Sequence, residues 1–327
     1  METARCRAVL AAAETGSFSK AAEVLRYTPS GVNQLVTALE NELGFALFRR
    51  NTKGVALTEN GELLLPTIRE FLRQEDRIFE LSTEINGLLI GSVTIASYSS
   101  IAAHWLPEVI RVFQQDFPHV NIRLMEGIWQ EVSGWLDERT ADIGFFSYQE
   151  GMPYEWIPLA EDPMLALLPP DHPLAGEAAY PLINCQEDPF IMPALGCDDD
   201  VEALFRRNGI KPRIHFTTLE SFSAMSMVEQ GLGICVMNRL ITEKYICNVV
   251  KLPLDPPAQI TMGVALHSKV DVSPAVKMFL KYAVRMLTKK EKQYGHGARA
   301  SGSKKAFRHA KQGHAGACPL DCRKTLR

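Results

Sequence analysis

The sequence is poor in the features that mark most enzymes and most secreted or membrane proteins. In its 327 residues no uninterrupted apolar run approaches the roughly 18–20 residues of a membrane span, so no membrane partner is expected. The N-terminus carries Glu2, Arg5 and Arg7 and then runs straight into a helical pattern. That is not the makeup of a secretory signal, and a cytoplasmic location is expected. Seven cysteines, scattered and odd in number, suit a reducing compartment better than a disulfide framework. A Ser nucleophile elbow, a P-loop and a dinucleotide fingerprint are all missing. Gly231-Leu-Gly233 is only an isolated glycine pair between a helix and a strand. His104, His119, His172, His215 and His267 are dispersed, without metal or triad spacing. Asp198-Asp-Asp200 stands at a helix start, where capping and the helix dipole account for it. No catalytic residue, metal ligand or cofactor is expected.

Strong net charge is also lacking, but the charge is unevenly spread. The chain carries −3 overall. Residues 289–327 hold 11 Lys/Arg against two acids, so residues 1–288 carry −12. Residues 1–60 have 7 basic and 6 acidic side chains. Bare electrostatics will not hold one copy of that segment tightly on a nucleic acid, and tight binding needs several copies acting together.

What is present is concentrated between Ser17 and Gly61. Ser19 is a candidate cap for a short helix whose inward positions are Ala21, Ala22 and Leu25. Thr28 is a second cap, followed by Pro29 at the first helical position, where its missing N–H is no loss. The second helix repeats its apolar residues at Val32, Leu35, Val36 and Leu39. Two short helices joined by a tight turn read as a helix-turn-helix, whose second helix enters the major groove of double-stranded DNA. Residues 4–15 form a preceding helix ended by Gly16, with Val9, Leu10 and Ala13 packing behind the pair. Leu47 to Thr58 reads as two short extended runs around a basic turn, a wing.

Five pieces of this region resemble the LysR-type transcriptional regulators: Glu14-Thr-Gly-Ser-Phe-Ser-Lys-Ala-Ala22, Val32 to Leu39, Glu40-Asn-Glu-Leu-Gly44, Leu47-Phe-Arg-Arg50 and Leu57-Thr-Glu-Asn-Gly61. Their order and spacing are far more specific than a lone helix-turn-helix. The candidate DNA contacts are Thr28, Pro29, Ser30, Asn33, Gln34 and Thr37 on the second helix, with Arg49, Arg50 and Lys53 in the wing. Asn and Gln suit the adenine edge, Ser and Thr serve base or phosphate, and wing cations serve phosphate or the minor groove. Members of the family often have Ser and Arg where this chain has Asn33 and Gln34, so no base preference carries over.

From Thr58 to about Asn86 the pattern is one long helix, kinked near Pro66. Leu64, Ile68, Phe71, Ile78 and Ile85 form a heptad seam interrupted by Glu75 and Ser82. The bland reading is a helix packed on its own domain. No helix of comparable length follows to receive the stripe, so a dimerisation helix is favoured, and the family has a linker helix at this place. From Ser92 strands and helices alternate, as in an α/β domain. A helix is expected over 101–117, and separate strands near Trp156–Pro158 and Met164–Leu168. Two lobes with two crossings resemble the effector-binding domain of the same family and the periplasmic solute-binding proteins.

The fold expected is therefore α/β overall. Residues 1–60 make an all-α winged helix-turn-helix and residues 61–90 a linker helix. Residues 91–288 make a two-lobe effector domain whose second lobe covers about 169–255, and residues 289–327 a disordered basic tail. In a two-lobe domain of this kind ligands lie where strand ends and helix N-termini point. That selects Ser97, Ser99 and Ser100, with Trp129, Phe146 and Ser147 beside them. Pro193, Thr217 and Thr218 come from the second lobe. Hydroxyls and free N–H groups before a helix suit a carboxylate or similar anion, with plain capping as the bland reading. His309, His314, Cys318 and Cys322 in the tail match no standard zinc finger. The functional expectation is a DNA-binding regulator, dimer or tetramer, switched by a small-molecule effector, with RNA polymerase as a further partner. The competing class is a small-molecule-binding protein or cleft enzyme with an accessory DNA domain.

Overall fold

The computed structural model describes residues 2–51, 54–85, 89–193, 199–243, 245–268 and 271–294. The chain divides into two compact units. The first comprises Met1–Pro158 and Met262–Arg285, the second Leu159–Thr261 with the chain from Met286.

The first unit opens with α1 (Thr3–Thr15), α2 (Phe18–Leu25) and α3 (Pro29–Leu43), then the hairpin β1 (Phe48–Asn51) and β2 (Gly54–Leu57), then α4 (Glu59–Ile85). Gly16 closes α1 in the left-handed conformation, which lacks a Cβ penalty only for glycine. The cap of α2 is Ser17, not Ser19: the Ser17 hydroxyl accepts from the N–H of Lys20. The helix therefore starts two residues earlier than the Ser19 cap would allow. Thr28 caps α3 as expected, accepting from the N–H of Gly31 at 3.0 Å. Alanines 8, 12, 21 and 22 let α1 and α2 approach closely around Val32, Val36 and Leu39, all essentially buried. The hairpin docks on all three helices. Phe48 meets Phe18 edge-on at 5.6 Å, and the N–H of Val55 donates to the Gly16 carbonyl. Glu40 of α3 accepts from the N–H groups of Leu47 and Phe48.

The Leu-Thr-x-x-Gly piece has a local cause. The Thr58 hydroxyl accepts from the N–H of Gly61 and donates to the Ala46 carbonyl, so it caps α4 and ties it to the wing. The helix then continues through Pro66 to Ile85. Its apolar stripe is shared between two uses. Ile68 is buried with Leu65 and Leu72 in the core that α1 provides, and Leu64 and Phe71 pack partly against the same core. This corrects the expectation for Ile68, whose side chain belongs to its own domain. Ile78 and Ile85 remain 67% and 84% exposed.

The rest of the first unit is an α/β lobe. It runs β3 (Gly91–Ser97), α5 (Ser99–His104), α6 (Leu106–Asp116), β4 (Val120–Glu126), α7 (Trp129–Asp137) and β5 (Ile143–Ser147). The single helix expected over 101–117 is two helices, because Pro107 has no N–H to offer the preceding turn. β3 lies between β4 and β5, parallel to both. The later strand β12 (Gln259–Leu266) joins antiparallel to β5, and α11 (Pro274–Tyr294) closes the lobe.

Two expected strands are one, β6 (Glu155–Leu168), along which the chain leaves the first unit. The second unit contains β7 (Tyr180–Pro181), β8 (Phe190–Met192), α8 (Asp199–Asn208), β9 (Ile214–Thr217), α9 (Ser221–Glu229), β10 (Cys235–Asn238), α10 (Arg239–Thr242) and β11 (Val250–Asp255). β10 and β11 flank β6 antiparallel, and β8 pairs with β9 in parallel. The chain returns along β12. The tail, with its His and Cys series, lies outside the described residues.

Candidate DNA interface and effector site

On α3 burial sorts the residues cleanly. Val32, Val36 and Leu39 face inward, while Thr28, Pro29, Ser30, Gln34 and Thr37 are exposed and Asn33 is half-buried. Ser30, Asn33, Gln34 and Thr37 recur at the three- and four-residue spacing of one helix face, so the predicted set forms one polar strip. Asn41, also exposed, extends it by one turn and was missed, although the same spacing points to it. The polar groups on this strip include amides, which offer a donor and an acceptor to a base edge.

Arg49 projects from β1 and is exposed. Arg50 is described in its backbone alone, and Lys53 lies outside the described residues. The other cations divide by position. Arg5 pairs with Glu42, and Arg7 with Glu75 and Asp76, so both brace the domain internally. Lys20, Arg26 and Arg49 are exposed and make no ion pair among the described residues. Lys20 and Arg26 were not singled out in the sequence, where nothing separates them from the cations that fold inward.

In the lobe of the first unit, the parallel strands β3, β4 and β5 deliver their carboxyl ends together. Ser97 ends β3 and Ser147 ends β5, and both side chains are buried. Ser99 and Ser100 open α5, Ser99 half-buried and Ser100 buried, while Trp129 opens α7 after β4. The structure brings these five together with Phe146 and gives the last a different part. Phe146 is fully buried, with Trp129 edge-on at 5.0 Å and Trp156 at 5.4 Å from its ring. It holds Trp129 in place from below instead of forming a surface wall.

Two polar groups here were missed. The Ser147 hydroxyl lies 3.4 Å from the Tyr98 hydroxyl, and the Gln149 side-chain N–H donates to Ser147 at 2.9 Å. Tyr98 sat inside the Ser-rich turn, overshadowed by its neighbours, and Gln149 is joined to it only by the pairing of β3 with β5. Ser97 donates to the backbone carbonyl of Tyr98, which marks it as a turn-shaping residue. No cation stands among these named side chains.

In the second unit, Pro193 follows β8 and Thr217 ends β9, and the two strands are parallel neighbours. Thr218 ties them, its N–H donating to the Met192 carbonyl. Its hydroxyl donates to the Glu220 carbonyl, a turn bond just before α9. Thr217 is exposed and Pro193 buried. The three predicted residues are thus gathered within their own unit.

Comparison with known proteins gives these arrangements their family. Residues 4–62 match the model of the bacterial regulatory helix-turn-helix protein, lysR family, and residues 86–288 match the LysR substrate binding domain. The chain is similar to the uncharacterized HTH-type transcriptional regulator YvbU of Bacillus subtilis, 32% identical over 275 residues, covering 83% of this chain and 94% of that one. Full-length OxyR C199D from Pseudomonas aeruginosa superposes with a TM-score of 0.69 at 22% identity, over 88% of this chain and 96% of that one. Full-length CbnR in complex with its target DNA does so at 0.60 and 19%, over 88% and 99%. The chain belongs to the LysR family of transcriptional regulators, with a helix-turn-helix DNA-binding domain and an effector-binding domain. No helix among the described residues is long and apolar enough to cross a membrane.

Proposed function

We propose that this regulator reads specific DNA sites through the polar strip of α3. Asn33 and Gln34 are the base-reading residues, Ser30 and Thr37 flank them, and the wing supplies phosphate or minor-groove contacts through Arg49, Arg50 and Lys53. The observation that carries this reading is the sorting of α3 into a buried apolar face and a polar one that is exposed apart from the half-buried Asn33. One copy binds weakly, because basic and acidic residues nearly balance in residues 1–60 and two of the cations are engaged internally. The working form is a homodimer or a dimer of dimers in the cytoplasm, held by the exposed stripe of α4 that includes Ile78 and Ile85, with Leu64 and Phe71 at its margin. RNA polymerase is the partner at the promoter.

The effector is a small molecule bound at the carboxyl ends of the lobe strands. Ser99, Ser100, Tyr98, Ser147 and Gln149 supply hydroxyl and amide groups, and Trp129 an aromatic face. A carboxylate or similar anion fits donors of this kind, and it would be held by neutral hydrogen bonds instead of an ion pair. Any regulatory effect requires that the effector bind two arrangements of the protein with different affinity.

The test is selection of bound fragments from the source genome by the purified protein, with Asn33→Ala plus Gln34→Ala as control. A few inverted-repeat sites, enriched by the native chain and lost in the control, are the expected result. No enrichment at any salt concentration would remove the DNA-reading assignment.

A further inference from the structure

Beyond Leu72, the only buried side chain of α4 is Glu80, a carboxylate. The last three turns of the helix have no apolar core beneath them among the described residues, and a helical segment of about 12 residues is marginal in isolation. A row of polar groups holds it instead. At about 100° per residue, Arg69, Arg73, Arg77 and Glu80 fall within roughly 80° of arc on one face. Ile78 and Ile85 lie on the opposite side.

Each arginine of the row is bonded to the effector lobe of the first unit, and Glu80 is buried against it. Arg69 donates to the Glu138 carbonyl at 3.1 Å. Arg73 pairs with Asp142 at 2.7 Å and reaches the carbonyls of Arg139 and Ala141 at 3.5 Å. The carbonyls of Glu138 and Arg139 follow the C-terminus of α7, where the helix dipole favours a cation. Asp142 is in turn fixed to β3, accepting from the N–H of Thr94 at 2.6 Å. Arg77 pairs with Asp271 at 3.6 Å. The buried Glu80 carboxyl faces Ser273 and the backbone of Ser92 and Ala275, at the start of β3 and the first turn of α11, while its Oε2 has no hydrogen-bond partner among the described residues. A Cβ at Gly91 would stand 2.5 Å from that carboxylate, so Gly91 leaves the space Glu80 fills.

We propose that this row makes Arg73 and Glu80 positioning residues for DNA binding: they lock the linker helix to the effector lobe, so that the lobe sets the direction in which paired DNA-binding domains are presented. The inference rests on the DNA-reading and dimerisation assignments above. Unlocking the row leaves each helix-turn-helix able to read its half-site but frees the spacing between half-sites.

The experiment compares the full chain with Arg73→Asp, Asp142→Arg and the double exchange, by hydrogen exchange and by footprinting on the selected DNA fragments. Each single variant is expected to exchange the amides of residues 74–85 at least about tenfold faster and to lose a fixed footprint length while keeping half-site protection. The double exchange restores both. Because Asp142 also supports β3, Arg69→Ala plus Arg77→Ala serves as a second variant at the rim of the row, with the same expected direction. Unchanged exchange over 74–85 in a folded variant overturns the lock. Faster exchange with an unaltered footprint overturns its role in positioning. Absence of any footprint with the native chain overturns the DNA-reading assignment itself, and is distinguishable because the exchange result stands apart.

Discussion

Replacing Gly61 by alanine tests whether the junction of wing and linker helix is set by close approach. A Cβ at this position would lie 2.3 Å from the Leu47 carbonyl oxygen and 3.0 Å from a Leu57 methyl. The oxygen is not free to turn away, because it accepts from the N–H of Thr58 at 2.9 Å. Relief therefore requires α4 and the start of β1 to separate by roughly 0.7–1 Å, and because the contact is with fixed backbone the overpacking cost falls in the upper part of the usual range, about 2–3 kcal/mol. Against this, alanine gains about 1 kcal/mol over glycine in helix propensity. The net expectation is destabilisation by about 1–2 kcal/mol. Gly134 in α7 is the internal control, since a Cβ there meets nothing within 4 Å. The same substitution at Gly134 is expected to stabilise by about 0.5–1 kcal/mol. Hydrogen exchange separates the two regions without assuming that the whole chain unfolds in one step. Amides of residues 47–65 should exchange roughly 5- to 30-fold faster in Gly61→Ala, each factor of ten being about 1.4 kcal/mol. Equal or slower exchange there would refute the argument that the backbone approach excludes a side chain.

Other expected outcomes follow from the same geometry. Thr28→Ala removes the cap on Gly31 and costs the helix-turn-helix about 1 kcal/mol, whereas Thr28→Ser keeps most of it, as urea titration followed by exchange in α3 will read. Arg49→Ala weakens binding to all DNA sequences alike and lowers the salt slope by about one, while Gln34→Ala acts on particular bases; competition binding at several salt concentrations distinguishes them. Burial holds the Glu80 carboxyl above the usual carboxylate range, against the hydrogen bonds that favour its charge. Its folded form therefore keeps a proton to higher pH than the unfolded chain does. The stability linked to it is fully present below the ordinary glutamate range and is lost as pH rises through the folded value. Glu80→Gln should gain in thermal stability relative to the native chain as pH rises above the ordinary glutamate range, and a difference that is flat with pH would contradict this.

Much of the DNA-binding half was legible because its signals are local. A cap, an N1 proline and a 3.6-residue apolar period occupy Thr28 to Leu39, and each acts through neighbours a few residues away. The cap of α2 was misplaced by two residues because Ser17 and Ser19 are chemically alike, and only the backbone turn after Gly16 separates them. The break between α5 and α6 followed from Pro107, which the longer apolar period concealed. Tyr98 and Gln149 stayed hidden because strand pairing brings them together across 51 positions of chain.

The residue pattern by itself determined the order of elements, the inward and outward faces of α3 and the wing, since period and capping are properties of short stretches. Tertiary structure alone decided how α4 divides its surface. Its apolar stripe reads as a single seam, yet Ile68 is taken up by α1 and only the later isoleucines stay exposed. Nor does the sequence separate Arg7, which braces Glu75 and Asp76, from Arg73, which reaches Asp142. Long charged side chains choose partners by which backbone brings an opposite charge within reach, and that is fixed only when distant segments pack.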